Sequence, residues 1–414
     1  MKKALLITIG TGVGINRHDA LQSLSDGITY CLNNYNPTKT IFIVTADSKK
    51  DTLPLILEKT SLSPNDFKTK CLKSMDDIEV IYDECVELIK ELLSDGFDEK
   101  DIVVDFTSGT KAMSAGLAIA AATMDIENFS YISGIRVGGK VAKGTERIIP
   151  IRANKILVDS KLKVVHNLFN NYQFDACLNI LQDLRNKFGA PELQEKFKDY
   201  EKVCYAFSKW DKFDHIEAKK KLVVTCKLDI NLDNNIEFLN ELVSSEDKIY
   251  YIVDLLANAE RRGKEGKYDD AVARLYRIME LIAQYRLQSN FGVETSNVDL
   301  KKTPSISREW LLESKNFDGM IQIGLQNDYR LLKDFSDELG IKFFDNEQLQ
   351  SYLGTRNSSI LAHGMTPVKE SHYNKLFEKV FEFALIDIQN ILKLKEKAKF
   401  SQFFAATSRS SCCE

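Results

Sequence analysis

The chain lacks every spacing by which cysteine and histidine announce a metal. Its eight cysteines include no C-x-x-C pair, and its five histidines form neither a His-Glu-x-x-His helix nor a Cys/His cluster. No metal site and no bound cofactor are therefore expected. Scattered thiols of this kind suit a reducing compartment, and the adjacent Cys412 and Cys413 fall in a serine-rich stretch expected to fray. A signal peptide is missing too: Met1 to Thr8 reads as the start of a strand, so a cytoplasmic location is expected. The most apolar helix candidate, Ala112 to Met124, is too short to cross a bilayer, and no membrane partner is expected. A large excess of positive over negative charge is lacking too: 56 lysines and arginines stand against 60 acidic residues. A net charge of −4 excludes a generally basic nucleic-acid coat, so any RNA contact has to be a local groove.

The common nucleotide signatures are absent as well. Gly10-x-Gly12-x-Gly14 lacks the last glycine spacing of the dinucleotide fingerprint, and Asp47 follows it later than that fingerprint's acidic residue should. Gly109-Thr110-Lys111-Ala112 is not a Walker A loop, which requires Gly-Lys followed by Ser or Thr. Nicotinamide and ATP chemistry are thereby disfavoured.

What is present is an α/β pattern in the first third. Ala4–Ile9, Thr40–Thr45, Ile102–Phe106 and Phe129–Gly134 are apolar or β-branched runs that read as strands. Helical stretches over His18–Leu32, Asp76–Leu93 and Ala112–Met124 separate them. Strands alternating with helices predict a doubly wound parallel sheet, whose ligands sit beyond the carboxyl ends of the strands. Two loops stand at such ends: Gly10 to Gly14, and Thr107-Ser108-Gly109-Thr110-Lys111. The second opens a helix, so its amides, hydroxyls and ammonium are expected to converge on phosphate or ribose oxygens.

From about Lys155 onward helices dominate, at 161–171, 174–188, 193–209, 231–242, 248–262, 269–287 and 372–397. Near the end stands Arg356-Asn357-Ser358-Ser359-Ile360-Leu361-Ala362-His363. Thr355 reads as an N-cap, and Gly364 with Pro367 as a stop, so the motif predicts one short helix. Seven positions apart, Arg356 and His363 would share one face of it, roughly 10 Å apart along the axis. A guanidinium for a phosphate and an imidazole titrating near neutrality are what RNA cleavage without a metal requires. On spacing alone, a surface arginine and a capping histidine is the commoner reading. His372 reads as a capping or surface residue, and Glu280 as structural or solvated.

A resemblance decides between these readings. Asp105 to Ser114 resembles the signature of CARF domains, the cyclic-oligoadenylate sensors of type III CRISPR systems, and Gly10-Thr11-Gly12 resembles the other half of that site. Arg356-Asn357…His363, with six intervening residues, resembles the R-x4-6-H motif of HEPN ribonucleases. Tyr268 to Arg277 and the helix through Leu287 resemble one CARF–HEPN subfamily.

The resemblance implies a Rossmann-like CARF domain over 1–154, a helical connection over 155–247, a HEPN domain over 248–400 and a flexible tail over 401–414. It implies a metal-independent endoribonuclease of antiviral defence, allosterically activated by cyclic oligoadenylate and cutting single-stranded RNA as a homodimer. Arg356, Asn357 and His363 would be catalytic. Gly10, Thr11, Gly12, Thr107, Ser108, Gly109, Thr110, Lys111 and Met113 would bind the activator. Two alternatives stand beside it. One is a ligand-responsive regulator without catalysis. The other is cleavage of the cyclic ligand in the CARF site, with Thr107, Ser108 or Lys111 positioning the attacking hydroxyl.

Overall fold

Six strands form one sheet in the first half of the chain: β1 (Ala4–Ile9), β2 (Lys39–Val44), β3 (Phe67–Cys71), β4 (Ile102–Asp105), β5 (Asn128–Ser133) and β8 (Arg147–Arg152). A two-stranded hairpin, β6 (Arg136–Val137) and β7 (Lys140–Val141), lies between the last two in sequence. These come from a computed structural model that describes residues 2–12, 16–137, 140–152, 154–222, 228–245, 247–361, 364–388 and 390–403. The chain divides into two units, Met1–Leu162 and Lys163–Glu414.

In the first unit the strand order is β3-β2-β1-β4-β5-β8, parallel throughout except for β8. Helices α1 (Arg17–Tyr35), α2 (Ala46–Asp51), α3 (Leu53–Glu58), α4 (Ile78–Ser94) and α5 (Lys111–Thr123) fill the crossovers. Strands covered on both faces read as unbroken apolar runs, and every residue of β1 and β4 is buried. Leu5, Ile7, Ile9, Phe42 and Val44 pack with Ile28, Cys31 and Ile56 into the core on one side of the sheet.

The four expected strands are all present, but two edge strands were not anticipated. Strand β3, Phe-Lys-Thr-Lys-Cys, carries two lysines and no fully buried residue, which is how an edge is kept from pairing further. Strand β8 contains Pro150 and exposes part of Ile149 and Ile151. Proline inside a strand is tolerated at an edge, and it hides the strand from pattern reading.

The second unit is helical. Its first helix, α6 (Asn154–Asn170), contains the division between the units. There follow α7 (Phe174–Lys187), α8 (Pro191–Asp211), α9 (His215–Lys221), α10 (Asp233–Ser244), α11 (Ile249–Lys264) and α12 (Tyr268–Phe291). Then come α13 (Arg308–Glu313), α14 (Leu325–Asp334), α15 (Glu338–Asp345), α16 (Glu347–Ser358), α17 (Glu370–Asp387) and α18 (Ile391–Ala398). Among the described residues no helix is long and apolar enough to cross a membrane.

Helix α12 is the centre of the later group, packing against α11, α14, α16 and α17. The single last helix expected over 372–397 is two helices. Asn390 adopts a left-handed conformation (φ 62°) at the break, which asparagine tolerates better than most residues. Ser401 to Phe403, expected to belong to a flexible tail, are held by the helical unit. Ser401 donates its amide to Asn235 Oδ1 (3.0 Å), Phe403 exchanges two backbone bonds with the Asn170 side chain, and the Phe403 ring stacks on His166 at 4.3 Å. Cys412 and Cys413 lie outside the described residues.

Candidate functional site

Strands β1 and β4 are neighbours, so the loops leaving their carboxyl ends emerge side by side. Two contacts lock them together, and a third ties the first loop to the α2–α3 junction. The Gly10 amide donates to Ser108 Oγ at 2.9 Å, the Thr8 hydroxyl donates to the Ser108 carbonyl, and Thr52 Oγ1 donates to the Gly10 carbonyl at 2.8 Å. The approach requires glycine: a Cβ on Gly10 would lie 2.9 Å from the Gly109 amide nitrogen, and Gly109 itself sits at φ +99°.

Below the loop, Asp105 is fully buried and accepts the Thr107 amide at 3.0 Å. Burial raises its pKa, while Ser130, Thr107 and Cys31 oppose the shift by hydrogen bonding to it. The carboxyl thus anchors the turn from beneath and does not face solvent.

The two loops line one cavity of about 450 Å³, within the range for small-ligand sites. Gly10, Thr11, Gly12, Thr107, Ser108, Gly109, Thr110 and Met113 all border it. Lys111 does not; it is exposed at the first position of α5. Gly14 lies outside the described residues.

The hydroxyls that border the cavity also hold the loop in shape. Thr107 Oγ1 accepts the Ile132 amide at 2.7 Å, and Ser108 Oγ accepts Gly10. Thr110 caps α5 by accepting the Met113 amide at 3.1 Å, and donates to the Met75 carbonyl at 2.6 Å. Sequence reasoning passed over Arg136, which borders the cavity from the β6 hairpin, and doubted Asp47, which borders it from α2. They are the charged side chains of the described lining. Nothing local in the sequence marks Arg136; only the return of the hairpin, held by Ser23 Oγ on the Val141 carbonyl at 3.1 Å, brings it there.

The helical unit holds the second candidate. Arg356 stands in the last turn of α16, whose N-cap is Asn346 and not Thr355. The helix ends at Ser358, so the motif does not form the single short helix, running on from Thr355, that its spacing predicts. Ser359 explains the stop. Its amide (3.1 Å) and hydroxyl (2.8 Å) both donate to the Arg356 carbonyl, and the Gly364 amide then closes a turn on the Ser359 carbonyl at 3.1 Å. Asn357 follows Arg356 within α16, and His363 lies outside the described residues.

The Arg356 guanidinium carbon is 4.7 Å from the centre of the Tyr276 ring on α12. Its Nε is buried without a hydrogen-bond partner among the described residues. Burial raises the Tyr276 pKa against the opposing charge of Arg356, with Glu280 and Asp328 adding to the rise. Glu280 pairs with Arg277, and His372 lies 3.2 Å from the Tyr352 carbonyl, joining α17 to α16.

Comparison with known proteins assigns this helical half. The Csm6 HEPN domain matches residues 240–387, a stretch that includes Tyr276, Arg356 and His363. The Csm6 6H domain matches residues 157–253, so the two together cover more than half of the chain. The chain is a CARF–HEPN protein of the Csm6 group. The activity that accompanies its HEPN domain is endoribonuclease. Among solved structures, Enterococcus italicus Csm6 bound to cyclic hexa-2'-fluoro-hexa-dAMP matches 96% of this chain and 99% of its own, with a TM-score of 0.61 and 14% identity. At that identity the likeness speaks for the fold. No curated protein matches the chain.

Proposed function

We propose that the chain cuts single-stranded RNA in the cytoplasm when a cyclic oligoadenylate occupies the cavity of its α/β unit. The observation that carries this reading is the union of the two loops at Gly10 and Ser108 over one cavity, in a chain whose other half is a HEPN domain. Backbone amides at the start of α5, the Arg136 cation and the Asp47 carboxylate suit a ligand made of phosphates, riboses and amine-bearing bases. A homodimer fits this ligand, because a ring with rotational symmetry can lie on the dimer axis.

Catalysis proceeds by attack of the ribose 2'-oxygen on the adjacent phosphorus. The bond to the 5'-oxygen breaks, leaving a 2',3'-cyclic phosphate and a 5'-hydroxyl. Arg356 holds the phosphate and stabilises its added charge. His363 takes the 2'-proton or supplies one to the leaving oxygen, a duty suited to a group titrating near neutrality. Asn357 orients them. No metal ion is required by these steps.

Arg356→Ala and His363→Ala should each abolish cleavage of a fluorescent RNA while leaving folding and dimerisation nearly intact, and EDTA should not inhibit. Full-rate cleavage by either variant, or a strict need for a divalent ion, would contradict the assignment.

A further inference from the structure

Arg356 has an unusual seat for a phosphate-binding arginine. Its guanidinium lies over an aromatic face, 4.7 Å from the Tyr276 ring centre, and its buried Nε has no hydrogen-bond partner among the described residues. Buried guanidinium nitrogens normally find acceptors. A carboxylate there would hold the arginine more tightly, but it would also occupy the fork that a phosphate must grip and cancel the charge that catalysis uses. A π face attracts the cation without accepting from the fork.

The surrounding acids are arranged consistently with this. Glu280, one helical turn beyond Tyr276 on α12, is engaged by Arg277. Asp328 on α14 is fully buried. Tyr276 itself is half-buried on the central helix of the group, which packs directly against α16, so its backbone is held by a packed helix and not by a loop.

From this geometry we infer that Tyr276 is a positioning residue of the ribonuclease site: its ring aims the Arg356 guanidinium at the scissile phosphate. The inference rests on the reading of Arg356 as the phosphate-holding group.

The test is RNA cleavage by the full chain, activated by whichever of a panel of cyclic oligoadenylates stimulates the unaltered protein. Tyr276→Phe keeps the ring and should cleave within about twofold of the unaltered rate. Tyr276→Leu keeps apolar bulk without a π face, and should lower kcat about 3- to 30-fold, the range for a cation–π contact, with a smaller change in KM. Its melting temperature should match that of Tyr276→Phe. If the leucine variant does not fold, Tyr276→Met offers the same comparison with a more adaptable side chain.

Tyr276→Leu cleaving at the unaltered rate would overturn the inference. So would equal losses in the phenylalanine and leucine variants, since the hydroxyl would then be what matters. Activity retained by Arg356→Ala would instead overturn the reading of Arg356, and that arm is scored separately.

Discussion

Arg136 and Lys111 are both cations near the same pair of loops, and the fold treats them differently. Both are exposed, but Arg136 borders the cavity and Lys111 does not. Losing a charged hydrogen bond to a phosphate costs about 1–3 kcal/mol, or roughly 5- to 150-fold in affinity. Arg136→Ala should therefore weaken binding of the activating cyclic oligoadenylate by that factor, while Lys111→Ala should stay within about twofold. Calorimetric titration decides it; a larger loss for Lys111 would return that residue to the site. Asp328 supports a different prediction. It is fully buried, neither carboxyl oxygen has a hydrogen-bond partner of good geometry, and burial lifts its pKa to about 7, aided by Glu280 and opposed by Arg277 and Gln284. An unfolded aspartate ionises near 3.9. Between about pH 4 and pH 7 the folded chain thus holds a proton that the unfolded chain has released. The stabilisation is full below that window, declines as pH rises through it, and is gone above it, by at most about 1.4 kcal/mol per pH unit. Urea unfolding at pH 5 and pH 7.5 should show this loss in the unaltered protein and not in Asp328→Asn. Equal slopes would mean that Asp328 is ionised throughout.

Among the elements, the helical unit is pinned by a buried polar tie. Trp210 on α8 donates its indole N–H to Asp254 on α11 at 2.8 Å, and His215 on α9 meets the other carboxyl oxygen at 2.9 Å. Asp254→Ala would strand two buried groups from different helices at once, so unfolding should become easier by about 2–5 kcal/mol. A loss under about 1 kcal/mol would show that solvent or a rearranged neighbour replaces the carboxylate. Ties of this sort explain what could be read from the sequence. The buried strands β1, β2, β4 and β5 and the long helices announce themselves by apolar runs and period. The Thr110 cap was not read, although it is a local three-residue contact. Strands β3 and β8 did not announce themselves, because lysines and a proline mask an edge. The end of α16 did not either: Ser359 bonding back to Arg356 outweighs the helical spacing of the motif. The link from Gly10 to Ser108 joins residues far apart in sequence, so no local pattern announces it. Arg136 owes its place to a hairpin too short to leave a pattern.

At the level of the whole molecule, the proposal requires that occupation of a cavity in the α/β unit change the rate at which the HEPN unit cuts RNA. A ligand can do this only by binding one arrangement of the protein more tightly than another. A hundredfold change in the active fraction needs about 2.7 kcal/mol of such preference, which a few charged hydrogen bonds at the loops can supply. The most direct test is the rate of fluorescent RNA cleavage by the full chain, measured alone and with each of a panel of cyclic oligoadenylates. One ring size should raise the rate at least tenfold, and Arg136→Ala should shift that response to higher ligand concentration without lowering its plateau. Cleavage at full rate with no ligand, or no response to any ring size, would contradict the account.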